Sequence, residues 1–599
     1  MDAEHIAGVT VAVVQNGEIA LLKGYGSAGR GRRMDAVRTL VRIGSVSKTF
    51  TWIGLMKEVE RGRIELDHPI NDYLPAPLQI PAQGFLRPIR VLDLMSHAAG
   101  FEDLAQGHLF VYTGEQVMSQ SDYLARHRPD RVREPGELAS YSNYGASLAG
   151  YLVANANGQD FETVMQNEVF TPLGMTSTTF REPYAARRGL PEPMPAAQAD
   201  RLSSGFMWTG TEFREKHFEY ISQVAPAGSV STTAADMARY LLMLLNNGKL
   251  GQTQIFGPES AKAFRTPILN VPEGVNGWAH GFMARPLPGG FKSFGHGGAT
   301  RIFFTNLVVV PDLALGVFAN SNTTTGRALV ERLPKLIVER FYASPAPQRP
   351  GKAALLQIAD RYTGPYIPTR RAYSGLEKFV NLFGAEDGVS VTSSGYLVTR
   401  TGSLVQSWVP DGAPGEFRAA DGDQRLSFKL DAHGRAASFP ITRGSYTLER
   451  AGLVMNPELF TNLAALSLLV ALATCISTAF RVSRGTSPTR WQARANGLLS
   501  GVAALWLVAF AAFGLAGNAN SDSYADWPGP FLLTASTAAL LAALGSAALV
   551  VTMPAMWRRA PDSPVGWAVW RKSWHMAAAA VFVLFAILVG LRGGLIPWA

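Results

Sequence analysis

"IGSVSKTF", residues 43–50, places Ser45 three residues ahead of Lys48 at the start of an apolar run with helical period. Two readings fit these residues. Ser45 caps the helix and Lys48 is a solvated first-turn residue, or Ser45 is a nucleophile whose lysine shares its helical face at i and i+3. In the second reading the positive potential at the helix start would stabilise an oxyanion and depress the lysine pKa, leaving an amine able to act as base. A Ser-x-x-Lys pair alone is weak, so its partners must decide.

Two further stretches offer partners. "EPGELASYSNYGASLAG" (134–150) sets Tyr141, Ser142 and Asn143 just before a helical pattern. A phenol can move protons and an amide both donates and accepts, although a packed loop tyrosine and a turn asparagine would read the same way. "FGHGGATRIFFTNLVVVPD" (294–312) opens a long strand with His296 and two glycines. A histidine there is commonly structural, but a glycine-bordered strand edge also suits an acyl substrate. A rival nucleophile, Ser147 in "YGASLAG", fails the Gly-x-Ser-x-Gly elbow because Ala149 stands where the second glycine belongs.

In this order and spacing, Ser45-Val46-Ser47-Lys48, Tyr141-Ser142-Asn143 and His296-Gly297-Gly298 resemble the three motifs of the penicillin-recognising serine hydrolases, the serine β-lactamase-like and penicillin-binding protein family. The match is nearest to the branch holding class C β-lactamases, D-aminopeptidases, D,D-carboxypeptidases and family VIII esterases. "LMSHAAGFED" (94–103) and "TPLGMTSTTF" (171–180) also resemble it, and the likeness covers roughly residues 1–340. The resemblance implies that Ser45 attacks a carbonyl, that Lys48 and Tyr141 share its proton, and that Asn143 orients Lys48 and the substrate amide. It further implies an oxyanion hole from the backbone N–H groups of Ser45 and Ala299, the residue after Gly298, and neither metal nor organic cofactor. His296 departs from the lysine of many relatives. An unperturbed imidazole is mostly neutral at pH 7, so the expected substrate shifts from a β-lactam toward a small peptide, amide or ester, with peptidoglycan-related compounds among the candidates.

Around these motifs, strand-like runs at Val9 to Val14, Ile19 to Lys23, Phe303 to Val310 and Ala314 to Ala319 flank helical patterns at Lys48 to Arg61, Ala146 to Ala156 and Ala234 to Asn246. Strands at both ends and helices between predict an α+β domain over residues 1–340, one antiparallel sheet with helices packed on it. A proline-rich linker at 341–352 leads to short strand signals separated by Asp-Gly turns, read as a small all-β module over 353–452. No charged or histidine cluster in that module suggests chemistry.

From residue 459 the composition changes. Stretches at about 459–480, 497–517, 530–553 and 574–591 are apolar all round and long enough to cross a bilayer. Arg481, Arg484, Arg490 and Arg494 in the first loop and Arg558, Arg559, Arg571 and Lys572 in the third, against Asp522 and Asp526 in the second, predict cytoplasmic first and third loops. Everything before residue 459 then lies on the periplasmic or extracellular side of a multi-pass membrane protein. The first residues read as strand, Asn16-Gly17 turn and strand, so an export leader is expected to have been lost.

A length of 599 residues implies more than one domain. The net charge of +9 comes without a basic patch interleaved with aromatics, which argues against nucleic acid. The single Cys475 rules out a disulfide framework and a cysteine metal site. Two other functions fit less well: a penicillin-binding-like sensor that captures ligand with little turnover, and a transporter, which would need more ionisable groups in the spans. The residues carry no signal for oligomeric state.

Overall fold

The computed structural model describes residues 1–599 except 270–274, 276, 345, 347, 384–386, 403, 442–443, 484–489, 519–526, 555–567 and 598–599. Its contacts divide into two units. The first comprises Met1–Thr363, Pro368–Arg370 and Val389–Glu449, and the second Gly364–Ile367, Arg371–Gly388 and Arg450–Ala599.

The first unit is built on an antiparallel sheet made from the two ends of its first 340 residues. β1 (Gly8–Gln15), β2 (Glu18–Gly29) and β3 (Arg32–Arg33) come from one end. β4 (Gly277–Ala279), β5 (Phe282–Pro286), β6 (Lys292–Ala299), β7 (Phe304–Val310) and β8 (Leu315–Ser321) come from the other. The order β4-β5-β6-β7-β8-β1-β2-β3 brings β1 against β8, with Val11 opposite Ala319 and Val13 opposite Val317. Asn16 and Gly17 both take positive φ, which makes the tight β1–β2 turn the sequence predicts.

Helices cover both faces of the centre. Val9, Val11, Val13, Val317 and Ala319 pack with Val330 and Val338 of helix Arg327–Phe341. On the opposite face a Cβ added at Gly316 would stand 3.1 Å from Leu241 of helix Ala234–Leu245. Burial on both faces is why β1 and β8 read as nearly unbroken apolar runs.

Helix α1 (Ser47–Glu60) runs through the interior and is buried from Ser47 to Met56. Two of its buried threonines are hydrogen-bonded: Thr49 donates to the Val46 carbonyl and Thr51 to that of Pro226, both at 2.8 Å. Helix α2 (Asn143–Asn157) packs near it, capped by Ser142, whose hydroxyl accepts from Gly145 N–H at 3.0 Å.

Residues 389–449 add antiparallel ladders joining Leu397–Thr401, Leu404–Pro410, Glu416–Ala419 and Arg425–Ser427 in succession, around the fully buried Trp408. They belong to the same unit as the sheet above. Arg133 forms a bidentate ion pair with Glu449 at 2.7 and 2.8 Å, and Ser140 bridges to Tyr446.

In the second unit four helices, Pro457–Ser483, Arg490–Asn518, Gly529–Thr552 and Val569–Leu591, each contain a segment long and apolar enough to cross a membrane. Leu469, Ile476, Leu544 and Val551 are exposed on them, as a lipid-facing surface requires. The last helix begins before the apolar stretch and carries Arg571 and Lys572 in its first turn. Arg484, Asp522, Asp526, Arg558 and Arg559, on which the sidedness reading partly depends, lie outside the described residues. A short helix, Gly375–Asn381, joins this unit: Phe379 packs on Phe513 and Phe460, and Lys378 donates to the Leu591 carbonyl at 2.8 Å.

Candidate active site

The structure does not place Ser45 as the cap of the helix. Helix α1 starts at Ser47 with Val46 as its cap residue, and Ser45 sits before it in the tight turn Gly44–Val46. Its hydroxyl caps nothing. Gly44 takes φ 51°, a backbone shape glycine adopts freely.

Lys48 is fully buried, and its Nζ has three oxygen partners: Asn143 Oδ1 at 2.8 Å, the Ala227 carbonyl at 2.6 Å and Ser45 Oγ at 3.2 Å. The first two can only accept, so they take two N–H bonds. The Ser45 hydroxyl is the one partner able to donate. Burial above all, and then the charge of Arg370, hold the amine well below the ordinary lysine range. In the neutral amine the lone pair is thus left for the Ser45 O–H.

Tyr141 closes the other side. Lys48 Nζ lies 4.7 Å from its ring centroid, and Arg370 Cζ lies 4.6 Å from the same centroid. Its phenol is pushed upward by burial, against the opposing influence of Ser45 and Arg370, and therefore stays protonated. Ser45 is near enough to act on the phenol, but Tyr141 Oη forms no aligned hydrogen bond. The ring stacks on His97 at 4.3 Å, and Trp278 packs edge-on against His97 at 4.4 Å. His97 also fixes the segment directly: its carbonyl accepts from Ser140 N–H at 2.8 Å and its Nδ1 from Ser142 N–H at 3.2 Å.

Strand β6 forms the third wall. A Cβ on Gly298 would fall 2.0 Å from the Ile43 carbonyl oxygen, and one on Gly44 would fall 2.6 Å from the Ala299 carbonyl carbon. The edge at Gly298 and Ala299 is therefore packed directly on the Ser45 turn, where an oxyanion hole shared by Ser45 and Ala299 would have to form. Gly297 meets nothing within 4 Å. His296 is buried, its Nδ1 on the Gly297 carbonyl at 2.5 Å. Burial, and next the nearby Lys48, lower its pKa to about 3, so it is a neutral imidazole at any physiological pH.

Ser45, Lys48, Tyr141, Asn143, His296, Gly298 and Ala299 thus meet around one turn. Ser147 does not join them; it is buried in α2 and accepts from Gln120 Nε2 at 3.2 Å. Among the described residues no group of three or more His, Cys, Asp or Glu could hold a metal ion.

The family model described as Beta-lactamase matches residues 1–340, more than half of the chain. The chain belongs to the Beta-lactamase family. This is a family of serine hydrolases. Within it, the chain is 26% identical over 366 residues to "Penicillin-binding protein 4" of Amycolatopsis lactamdurans, covering 58% of this chain and 91% of the relative. It is 24% identical over 338 residues to "D-alanyl-D-alanine-carboxypeptidase/endopeptidase AmpH" of Escherichia coli K12, covering 53% and 81%. A solved penicillin-binding protein homologue from Pyrococcus abyssi, an octamer, aligns with 75% of this chain and 97% of its own at 18% identity and a TM-score of 0.48.

Four groups at this site of the family member escaped sequence reasoning: His97, Trp278, Asp103 and Arg370. His97 and Asp103 lie in the quoted stretch 94–103, which could have signalled them. Trp278 and Arg370 stand alone in their local sequence, and only tertiary folding brings them in.

Proposed function

We propose that the protein is a membrane-anchored serine hydrolase that works through an acyl-enzyme on Ser45, with a peptide, amide or ester substrate of the D-amino-acid type. Neutral Lys48 takes the Ser45 proton as the oxygen attacks the carbonyl carbon. The carbonyl electrons move onto oxygen, which the Ser45 and Ala299 N–H groups receive. The tetrahedral intermediate collapses as Tyr141, kept as a neutral phenol, gives its proton to the leaving nitrogen or oxygen and regains one from Lys48. Water then attacks the ester on Ser45 by the reverse relay and releases the acid.

The observation that carries this reading is the Lys48 amine, buried, held by two acceptor-only oxygens and left facing a hydroxyl. Asn143 orients that amine. His296, neutral and engaged with its own neighbour, would shape the cleft without supplying charge. The four apolar helices support membrane association, and the loop charges favour placing the catalytic unit on the periplasmic or extracellular side.

A substrate panel tests it: a D-alanyl-D-alanine peptide, a D-aminoacyl amide, a short-chain ester and nitrocefin, each against wild type and Ser45→Ala. Turnover of at least one peptide, amide or ester that vanishes in Ser45→Ala supports the reading; undiminished turnover in Ser45→Ala sinks it.

A further inference from the structure

In the acyl-transfer steps proposed above Tyr141 must deliver a proton, yet its Oη forms no aligned hydrogen bond among the described residues. The place of a hydroxyl at the end of a rigid ring is then set by the plane of that ring and by the backbone that carries it. His97 holds both. Its carbonyl accepts from Ser140 N–H at 2.8 Å and its Nδ1 accepts from Ser142 N–H at 3.2 Å, so the residues on either side of Tyr141 are tied to one partner. The His97 imidazole also stacks on the Tyr141 ring, with centroids 4.3 Å apart and planes 29° apart.

The chain fixes that imidazole in turn. His97 follows the short helix Val91–Met95 with φ 53°, a left-handed turn that histidine and asparagine adopt more readily than most residues. The ring is buried, with Trp278 edge-on at 4.4 Å and Trp52 of α1 edge-on at 6.0 Å. A backbone N–H can only donate, so Nδ1 presents its lone pair to Ser142 and the ring proton sits on Nε2. Burial first, and then the charge of Lys48, hold the imidazole well below the ordinary histidine range and preserve this neutral tautomer. Nε2 finds no hydrogen-bond partner among the described residues, a desolvation cost that an apolar side chain of similar size would avoid. Packing alone therefore does not account for a histidine here; the acceptor beside Tyr141 and the stacked ring do.

We propose that His97 is a positioning residue that aims the Tyr141 phenol at the leaving atom, so that the site's power to cleave amides, as opposed to activated esters, depends on it. This deepens the acyl-enzyme reading, on which it rests. When the C–N bond of an amide breaks, its electron pair takes the phenol proton and the amine departs neutral. A p-nitrophenolate departs as the anion and needs no such proton. Misplacing the phenol thus penalises the first reaction far more than the second.

The test measures kcat/KM of the full-length protein in detergent on two probes that share one acyl group, the p-nitroanilide and the p-nitrophenyl ester of N-acetyl-D-alanine. That constant covers the steps up to acylation, in which the leaving group departs. In His97→Leu, which keeps bulk but loses the acceptor and the aromatic stack, the anilide-to-ester ratio falls at least about a hundredfold. His97→Asn keeps the left-handed turn and sets Oδ1 where Nδ1 stood, so its ratio lies between those of wild type and His97→Leu. It also serves as the second variant should the leucine protein fail to fold. A ratio unchanged from wild type in the folded variants, whether turnover is kept or lost equally on both probes, is what a packing role gives and overturns the proposal. So does a wild type that turns over no anilide. Ser45→Ala is run alongside: turnover that persists there removes the acyl-enzyme reading and this proposal with it, whereas Ser45-dependent turnover with an unchanged ratio removes the role of His97 alone.

Discussion

Asn143 Oδ1 accepts from Lys48 Nζ at 2.8 Å, a bond between residues 95 positions apart that orients the buried amine toward Ser45. The partner's neutrality matters as much as its position. Asn143→Asp would put a carboxylate beside the amine, favour the ammonium and raise the Lys48 pKa. Ester hydrolysis by this variant is expected to fall by about 10²-fold or more at pH 7 and to recover as pH rises. A pH–rate profile unchanged from wild type would contradict the assignment of Lys48 as base.

The pH dependence of the unaltered protein follows from the same cause. In the proposed mechanism Lys48 works when deprotonated, and its pKa is depressed, so kcat/KM should rise with pH on one acidic limb and then level off. His296, already neutral above about pH 3, adds no inflection between pH 5 and 8. Should a limb near pH 6.5 appear and vanish in His296→Gln, the imidazole would be titrating in the cleft after all.

Glycines 297 and 298 separate access from packing. Gly298→Ala drives a methyl group into the Ile43 carbonyl and must push β6 off the Ser45 turn, so labelling of Ser45 by a fluorophosphonate is expected to slow at least about a hundredfold. Gly297→Ala projects into open space, and its melting temperature should stay within a degree or two of wild type.

Arg42, a little upstream of Ser45 in the chain, is buried against two carboxyl groups. It pairs with Glu182 at 2.6 Å while Glu219 lies 3.8 Å away, all three buried. Arg42→Met leaves two buried carboxyl groups without their cation and should cost about 3–5 kcal/mol, read as a lowered denaturation midpoint. Midpoints equal to wild type would show that these acids protonate without penalty.

The antiparallel sheet was legible because β1, β2, β7 and β8 are bounded by turn residues and carry long apolar runs, and α1, α2 and Ala234–Leu245 keep helical period. Ser45, Lys48, Tyr141, Asn143 and His296 were legible as a set through their order along the chain. The start of α1 was not: a serine two residues upstream of the first helical residue looks like a cap until the turn at Gly44 is seen. Nor was the role of residues 353–452. Arg370 is one arginine among many in the sequence, and Phe379 one apolar residue in a short helix; their meaning lies in Tyr141 and in Phe513, more than a hundred residues away. Local pattern carries element type, whereas long-range contact carries the completed site.

The most direct measurement of the whole account is peptide mapping by mass spectrometry after brief exposure to a fluorescent penicillin or a fluorophosphonate, in wild type and Lys48→Met. A single adduct on Ser45 in wild type, formed at least about 10³-fold more slowly in Lys48→Met, is the result the geometry requires. An adduct on any other side chain, or a Ser45 adduct formed equally fast without the amine, would contradict it.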